Sequence, residues 1–284
     1  MIPDRRAMIA RRYMAHLGKP NIPIGVGSIF PTGKGNEALI NYMREHTIEE
    51  NGATMTYEGY GLIECFPSAE KIIMDAIAKY GRELRVAVMA PMTDLAHFAQ
   101  SHPEEFGKIG GLFIQGQAKI EKGMLVPDPQ SYNIKEDEEA ANTVFQWQNQ
   151  IPITLVGKFA AYQTPLMRSD FDAFAETGNP AGIYIYLQKH AIKGIEALAR
   201  RAPDIFKRVF GVDASRVSEL NELSKPYDAL VAMAITDPEH FVPKRLGHHA
   251  LIGMTSENHG VRSPATVKDI IVQTVLRALR KPAV

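Results

Sequence analysis

The chain has one cysteine, Cys65, and one tryptophan in 284 residues. A single cysteine forms no intrachain disulfide, so a reducing compartment is expected. The thiol does not read as a nucleophile either. Its setting, Ile63-Glu64-Cys65-Phe66-Pro67, offers no histidine or lysine, and activation needs such a neighbour. Excess charge is also missing. Lys plus Arg and Asp plus Glu number 32 each, which argues against a nucleic acid or an anionic membrane as partner. No apolar run approaches the ~20 residues of a membrane-spanning helix. Met1–Ala7 is basic but lacks the apolar core of a signal peptide. The expected location is cytoplasmic.

What the chain has is ordinary globular material: 45% hydrophobic and 23% charged residues, enough for a sizeable core. No repeat or linker divides it, so one domain over residues 1–284 is expected. Apolar spacing predicts helices at 5–17 and 36–46, and at 68–79 with Ser68 as cap. Short apolar runs predict strands at 22–27, 84–90, 109–115 and 152–156, with helices at 93–101 and 137–148 between the later ones. Residues 50–63 read as a loop or hairpin, and 116–132 as a polar loop. The second half reads as helices near 164–176, 181–200, 203–210, 226–235 and 264–280, with one more strand at 250–254. Alternating strand and helix implies an α/β fold with a mainly parallel sheet. Ligands then bind beyond the carboxyl ends of the strands, here after Val26, Met89, Gln115 and Val156.

Several apparent motifs fail on spacing. Gly27 to Gly35 resembles a phosphate loop, but five residues separate Gly27 from Gly33-Lys34, and Gly35 stands where Ser or Thr must hold magnesium. His248 and His249 are adjacent, are expected to point apart, and have no third ligand at zinc spacing. His190, on a predicted helix, reads as a surface or capping residue. The run Lys135-Glu136-Asp137-Glu138-Glu139 reads as a solvated first helical turn whose carboxylates complement the helix dipole.

Three segments resemble one enzyme family when taken in order. The first is Ser131-Tyr132-Asn133, then Asp137-Glu138-Glu139-Ala140-Ala141. The second is Tyr227-Asp228, an apolar stretch, then Asp237-Pro238. The third is Val86-Ala87-Val88-Met89-Ala90-Pro91-Met92-Thr93-Asp94-Leu95-Ala96. These are similar to the Glu-Phe-Asn…Asp-Pro-Glu-Ala-Ala, His-Asp-Pro…Asp-Pro and Gly-Pro-Leu-Thr-Asn-Leu-Ala patterns of the inosine/uridine-preferring nucleoside hydrolases. The wording around Pro127-Asp128 and Phe159-Ala160-Ala161-Tyr162 resembles an atypical, effector-like branch. Ser131 replaces the family's Glu, Tyr132 its Phe, Glu138 its Pro, and Tyr227 its His.

The resemblance implies a nucleoside-hydrolase-like sheet flanked by helices, and hydrolysis of the N-glycosidic bond of ribonucleosides as the ancestral reaction. It implies a calcium ion, with Asp228 and the Met89 carbonyl as metal ligands, and Asn133, Ser131 and Tyr227 as substrate-binding residues. No catalytic residue is assigned. The family's Asp-x-Asp-x-x-x-Asp-Asp segment has no counterpart in the chain, which implies an N-terminally short member whose sheet lacks the usual first strand. A homo-oligomer covering the exposed edge is expected. Two outcomes stay open: a hydrolase, and a pseudoenzyme that binds a nucleoside, another ribose-containing ligand or a protein partner. Locally, Asp228 could instead cap its own helix, and Asn133 the helix that follows it.

Overall fold

The computed structural model describes residues 3–28, 66–189, 199–200, 203–210, 213–216 and 223–280. The predicted helix at 36–46, the loop or hairpin at 50–63, Cys65, His190 and the glycines at 33 and 35 lie outside them. Helix α1 (Pro3–His16) ends at Gly18, whose φ of 68° suits a residue without Cβ. Ile22–Gly27 is not the buried strand predicted. Val26 makes one parallel bridge to Ser68, and Ile22 is 44% exposed. Pro23 has no N–H to contribute to a ladder.

The Ser68 hydroxyl caps α2 (Ala69–Tyr80) by accepting from the Lys71 amide at 3.2 Å. Strand β1 (Arg85–Val88) leads to α3 (Thr93–Ser101), and then to β2 (Gly111–Gln115). The segment predicted as polar loop folds instead into an antiparallel hairpin, β3 (Ala118–Glu121) and β4 (Met124–Pro127). Lys122 and Gly123 turn it, both at positive φ. Alternation in Ala-Lys-Ile-Glu and Met-Leu-Val-Pro is too short to stand out. Buried Gln148 anchors the hairpin, accepting from the Leu125 amide at 2.7 Å and donating to its carbonyl at 3.0 Å.

Two helices follow, α4 (Tyr132–Glu136) and α5 (Glu138–Phe145), and then β5 (Ile153–Val156) and α6 (Lys158–Gln163). A short ladder pairs β6 (Leu166–Met167) with β7 (Leu223–Ser224). Between them in sequence lie α7 (Arg168–Glu176) and α8 (Pro180–Lys189). The chain continues through α9 (Tyr227–Thr236), β8 (Lys244–Leu246), β9 (His249–Ile252) and α10 (Pro264–Leu279).

The sheet order is β1-β2-β5-β9-β8. The first four strands are parallel, and β8 is antiparallel to β9. Strand alternation divides the core between the two faces. Leu112, Ile114, Ile153, Leu155 and Leu251 join α2, α3 and α5 in one apolar cluster. Phe113, Val156 and Ile252 join α6, α7, α9 and α10 in the other. Burying each such side chain stabilises the fold by about 1.5–3 kcal/mol, so both helical layers are fixed to the sheet. No described helix is long and apolar enough to cross a membrane.

Candidate functional site

The site is built where β2 and β5 end. Gln115 is the last residue of β2, and the next amide, Gly116, donates to the Val156 carbonyl at the end of β5 at 3.1 Å. The Asn133 side-chain amide donates to Gln115 Oε1 at 2.6 Å. Asn133 is buried, and Ser131 is buried beside it at the N-cap of α4. The Ser131 hydroxyl lies 3.4 Å from where a Cβ on Gly116 would be. Asn133 is therefore not the helix cap that local reasoning allowed; its side chain spans to the strand end. Asn133 Oδ1 and the Gln115 amide nitrogen have no further partner among the described residues.

Asp137 caps the following helix. It is fully buried, accepts from the Ala140 amide at 3.1 Å, and accepts from the Thr93 hydroxyl through its other oxygen. This corrects the solvated-turn reading of 135–139 at Asp137; Glu138 and Glu139 are exposed in the first turn of α5, as that reading had them. A carboxylate with both oxygens held by donors is stable without water. Asp94, in the same α3 turn as Thr93, accepts from the Ser28 amide at 2.8 Å and its hydroxyl at 2.6 Å.

The second wall comes from α6 and α9. A Cβ on Gly157 would lie 2.4 Å from the Gly253 carbonyl oxygen, so the ends of β5 and β9 meet only because position 157 is glycine. Gln117 donates to the Met254 carbonyl at 3.1 Å and ties the β2 exit to the same place. The β6–β7 ladder sets Tyr227 against α6. Its ring lies 6.5 Å edge-to-face from Tyr162, which lies 5.8 Å from Phe159 in the same manner. Burial raises the Tyr227 hydroxyl's pKa above the ordinary phenol value, and its repulsion by and hydrogen bond to Tyr162 raise it further. It is therefore neutral at physiological pH.

Asp228 stands in the first turn of α9, whose cap is Pro226 with no side-chain bond, so Asp228 does not cap its helix. Partial desolvation raises its carboxyl. The residue is exposed, so water screens that effect and keeps it modest. Met89 and Tyr227 pack against the same apolar cluster as Val156 and Val231. The structure thus joins Asn133 to Gln115 at the end of β2, with Ser131 buried close by, and sets Tyr227, next to Asp228 in α9, against Tyr162 of α6, the helix that follows β5.

The resemblance implies calcium, which takes six to eight oxygens, several from carboxylates. Among the described residues no group of three or more His, Cys, Asp or Glu converges. Asp228 with a main-chain carbonyl does not fit a calcium ion, so the described residues do not supply its ligand set.

The adjacent histidines are occupied elsewhere. Their rings lie 4.1 Å apart rather than diverging. His248 Nε2 is 2.8 Å from the Gln148 carbonyl, and His249 Nδ1 accepts from the Ile153 amide at 3.1 Å. They bind the start of β5, at the opposite end of that strand from the site. Gln115, Gln117 and Tyr162 were given no site role by motif reading, although Tyr162 lies in one of the family-like segments and Gln115 at a predicted strand end. The available signal was their position, since each follows closely on the carboxyl end of a parallel strand.

A mainly parallel sheet flanked by helices is the nucleoside-hydrolase-like class of fold. The sequence model of the inosine-uridine preferring nucleoside hydrolases matches residues 4–276, and the chain belongs to that family. The pyrimidine-specific ribonucleoside hydrolase RihA of Citrobacter koseri is 26% identical over 183 residues, covering 64% of this chain and 56% of its own. The chain therefore spans only about half the length of that curated relative. Among solved structures, the type III effector protein XopQ, complexed with adenosine diphosphate ribose, has a TM-score of 0.78 at 20% identity over 98% of this chain and 80% of its own. A purine-preferring ribonucleoside hydrolase from Gardnerella vaginalis has a TM-score of 0.64 at 18% identity over 97% and 86%. At these identities the two structures share the fold.

Proposed function

We propose that this chain binds a nucleoside or related ribose compound at the carboxyl ends of β2 and β5. The observation that carries the proposal is the Asn133–Gln115 pair, with Asn133 buried and Gln115 partly so. The Asn133 amide N–H donates to the Gln115 carbonyl oxygen, which restrains both side chains. The remaining carbonyl oxygen and N–H groups offer an acceptor and donors, as vicinal ribose hydroxyls require. Ser131 adds a hydroxyl where the family's Glu stands. The family's ligand chemistry and the neighbour solved with adenosine diphosphate ribose both favour a ribosyl ligand.

A second reading is retention of the family's reaction, hydrolysis of a ribonucleoside to ribose and free base. Family membership and the RihA relatives favour it. Tyr227 would be a weak proton donor to a leaving base, because its hydroxyl is held even more firmly protonated than a phenol of pKa near 10. No step of the proposal runs through calcium.

Calorimetric titration with ribose, uridine and inosine, with and without calcium, tests both readings. Binding that survives chelation and is lost in Asn133→Ala, with the fold intact by circular dichroism, supports the first. Release of free base at an ordinary enzymatic rate, about 1 per second or faster, and its loss in Asp228→Asn, establishes the second instead. Failure of every ribose compound to bind overturns the proposal.

A further inference from the structure

We propose that the ribosyl ligand is phosphorylated, and that Lys225 and Lys158 hold its phosphoryl group on the aromatic surface of Phe159, Tyr162 and Tyr227. This rests on the ribosyl-binding reading above and names the ligand class of the same site.

The observation is a pair of cations on the aromatic series that follows β5. The Lys225 ammonium lies 4.1 Å from the centre of the Tyr162 ring, and the Lys158 ammonium 5.3 Å from that of Phe159. The three rings form one edge-to-face series, so both charges sit on a continuous surface. Neither lysine has an ion-pair partner among the described residues. Asp228 is three residues from Lys225 but makes no ion pair with it. A cation on an aromatic face gains about 0.5–1 kcal/mol at an exposed site. That restrains the side chain but leaves its charge uncompensated.

The backbone carries these charges to the sugar subsite. Lys158 is two residues past Val156, whose carbonyl accepts from Gly116, next to Gln115. Lys225 follows directly on β7 and precedes Pro226 and Tyr227. A neutral nucleoside gains only neutral hydrogen-bond acceptance from two ammonium groups, with no charge–charge attraction. A phosphoryl group offers them several acceptor oxygens and up to two negative charges. A ribosyl phosphate, or a nucleoside mono- or diphosphate, therefore matches both halves of the site.

The test is calorimetric titration of the full chain with ribose, ribose 5-phosphate, uridine, uridine 5′-monophosphate and inorganic phosphate. One charge-assisted contact is worth about tenfold in affinity. Each phosphorylated compound should bind about tenfold or more tightly than its neutral counterpart, and the margin should shrink at high salt. The double variant Lys158→Gln/Lys225→Gln should erase the margin. Lys119→Gln, on the β3–β4 hairpin, should keep it and so controls for general loss of charge. Equal affinities for the two members of each pair, or a margin that persists in the double variant, overturn the proposal while leaving ribosyl binding in place. Inorganic phosphate that binds as tightly as ribose 5-phosphate and fails to compete with ribose also overturns it, since the lysines would then form a separate anion site. No binding of any ribose compound overturns the ribosyl-binding reading and this one with it.

Discussion

Replacing Asp137 with alanine separates a structural carboxylate from a chemical one. Asp137 falls in register with the family's motif, so a reader of sequence alone would place it near the ligand. Its oxygens, however, accept from the Ala140 amide and the Thr93 hydroxyl in a fully buried position. Losing an N-cap costs about 1 kcal/mol. Stranding a buried donor adds about 1–3 kcal/mol. Asp137→Ala should therefore destabilise the fold by about 2–4 kcal/mol, a large share of the 5–15 kcal/mol typical of a domain. With an m-value of about 3 kcal/mol/M, the urea midpoint falls by about 1 M, read by circular dichroism. Asp137→Asn keeps one acceptor and should cost less. An Asp137→Ala protein within about 0.5 kcal/mol of the parent would refute the reasoning. So would an Asp137→Asn protein of parental stability that no longer binds ligand.

Three further outcomes are expected. Burial, and next the neighbouring His248, lower the pKa of His249 below 6.5. Its Nδ1 must stay unprotonated to accept from Ile153. The unfolded chain then takes the proton first, so this stability is fully present above pH 6.5 and is lost as pH falls; His249→Gln should flatten that acid-side loss in urea midpoints measured across pH. Gln148→Leu strands both the amide and the carbonyl of Leu125, at a cost of about 2–4 kcal/mol. Hydrogen exchange at the Leu125 amide should accelerate more than exchange in β5. Gly157→Ala puts a methyl 2.4 Å from a backbone oxygen, so the ends of β5 and β9 must separate. Thermal denaturation should show a lower midpoint, and ligand affinity should fall with it.

The parallel sheet and its helices were legible because their signals are local. Ser68 announces a helix start, Gly81 its end, and the apolar run at 84–90 a strand, and each lies where its pattern places it within a few residues. The β3–β4 hairpin was not legible. Its four-residue strands carry polar and apolar residues alike, and what holds it is Gln148, more than twenty residues further on. Asn133 and Asp228 were legible as candidates by register with the family pattern. Their surroundings were not. Gln115 is eighteen residues from Asn133 in sequence and is joined to it only by the fold. Tyr162 reaches Tyr227 through a two-residue ladder too short to leave a pattern. The solvated-turn reading of Asp137 failed because charge runs usually face water, and here Thr93 and the cap geometry satisfy the carboxylate inside.

The tie between Gln117 and Met254 spans 137 positions. Closing such a contact costs loop entropy that grows slowly with the span. The proposed ligand subsite is thus assembled from segments far apart in the chain. A compound bound there acts as a brace on the whole molecule, adding about 2.7 kcal/mol at a hundred times its dissociation constant. The midpoint of thermal unfolding thus reports on the ligand without any chemical turnover. Compounds can be ranked by that shift alone, whether or not the bond between sugar and base is ever cut.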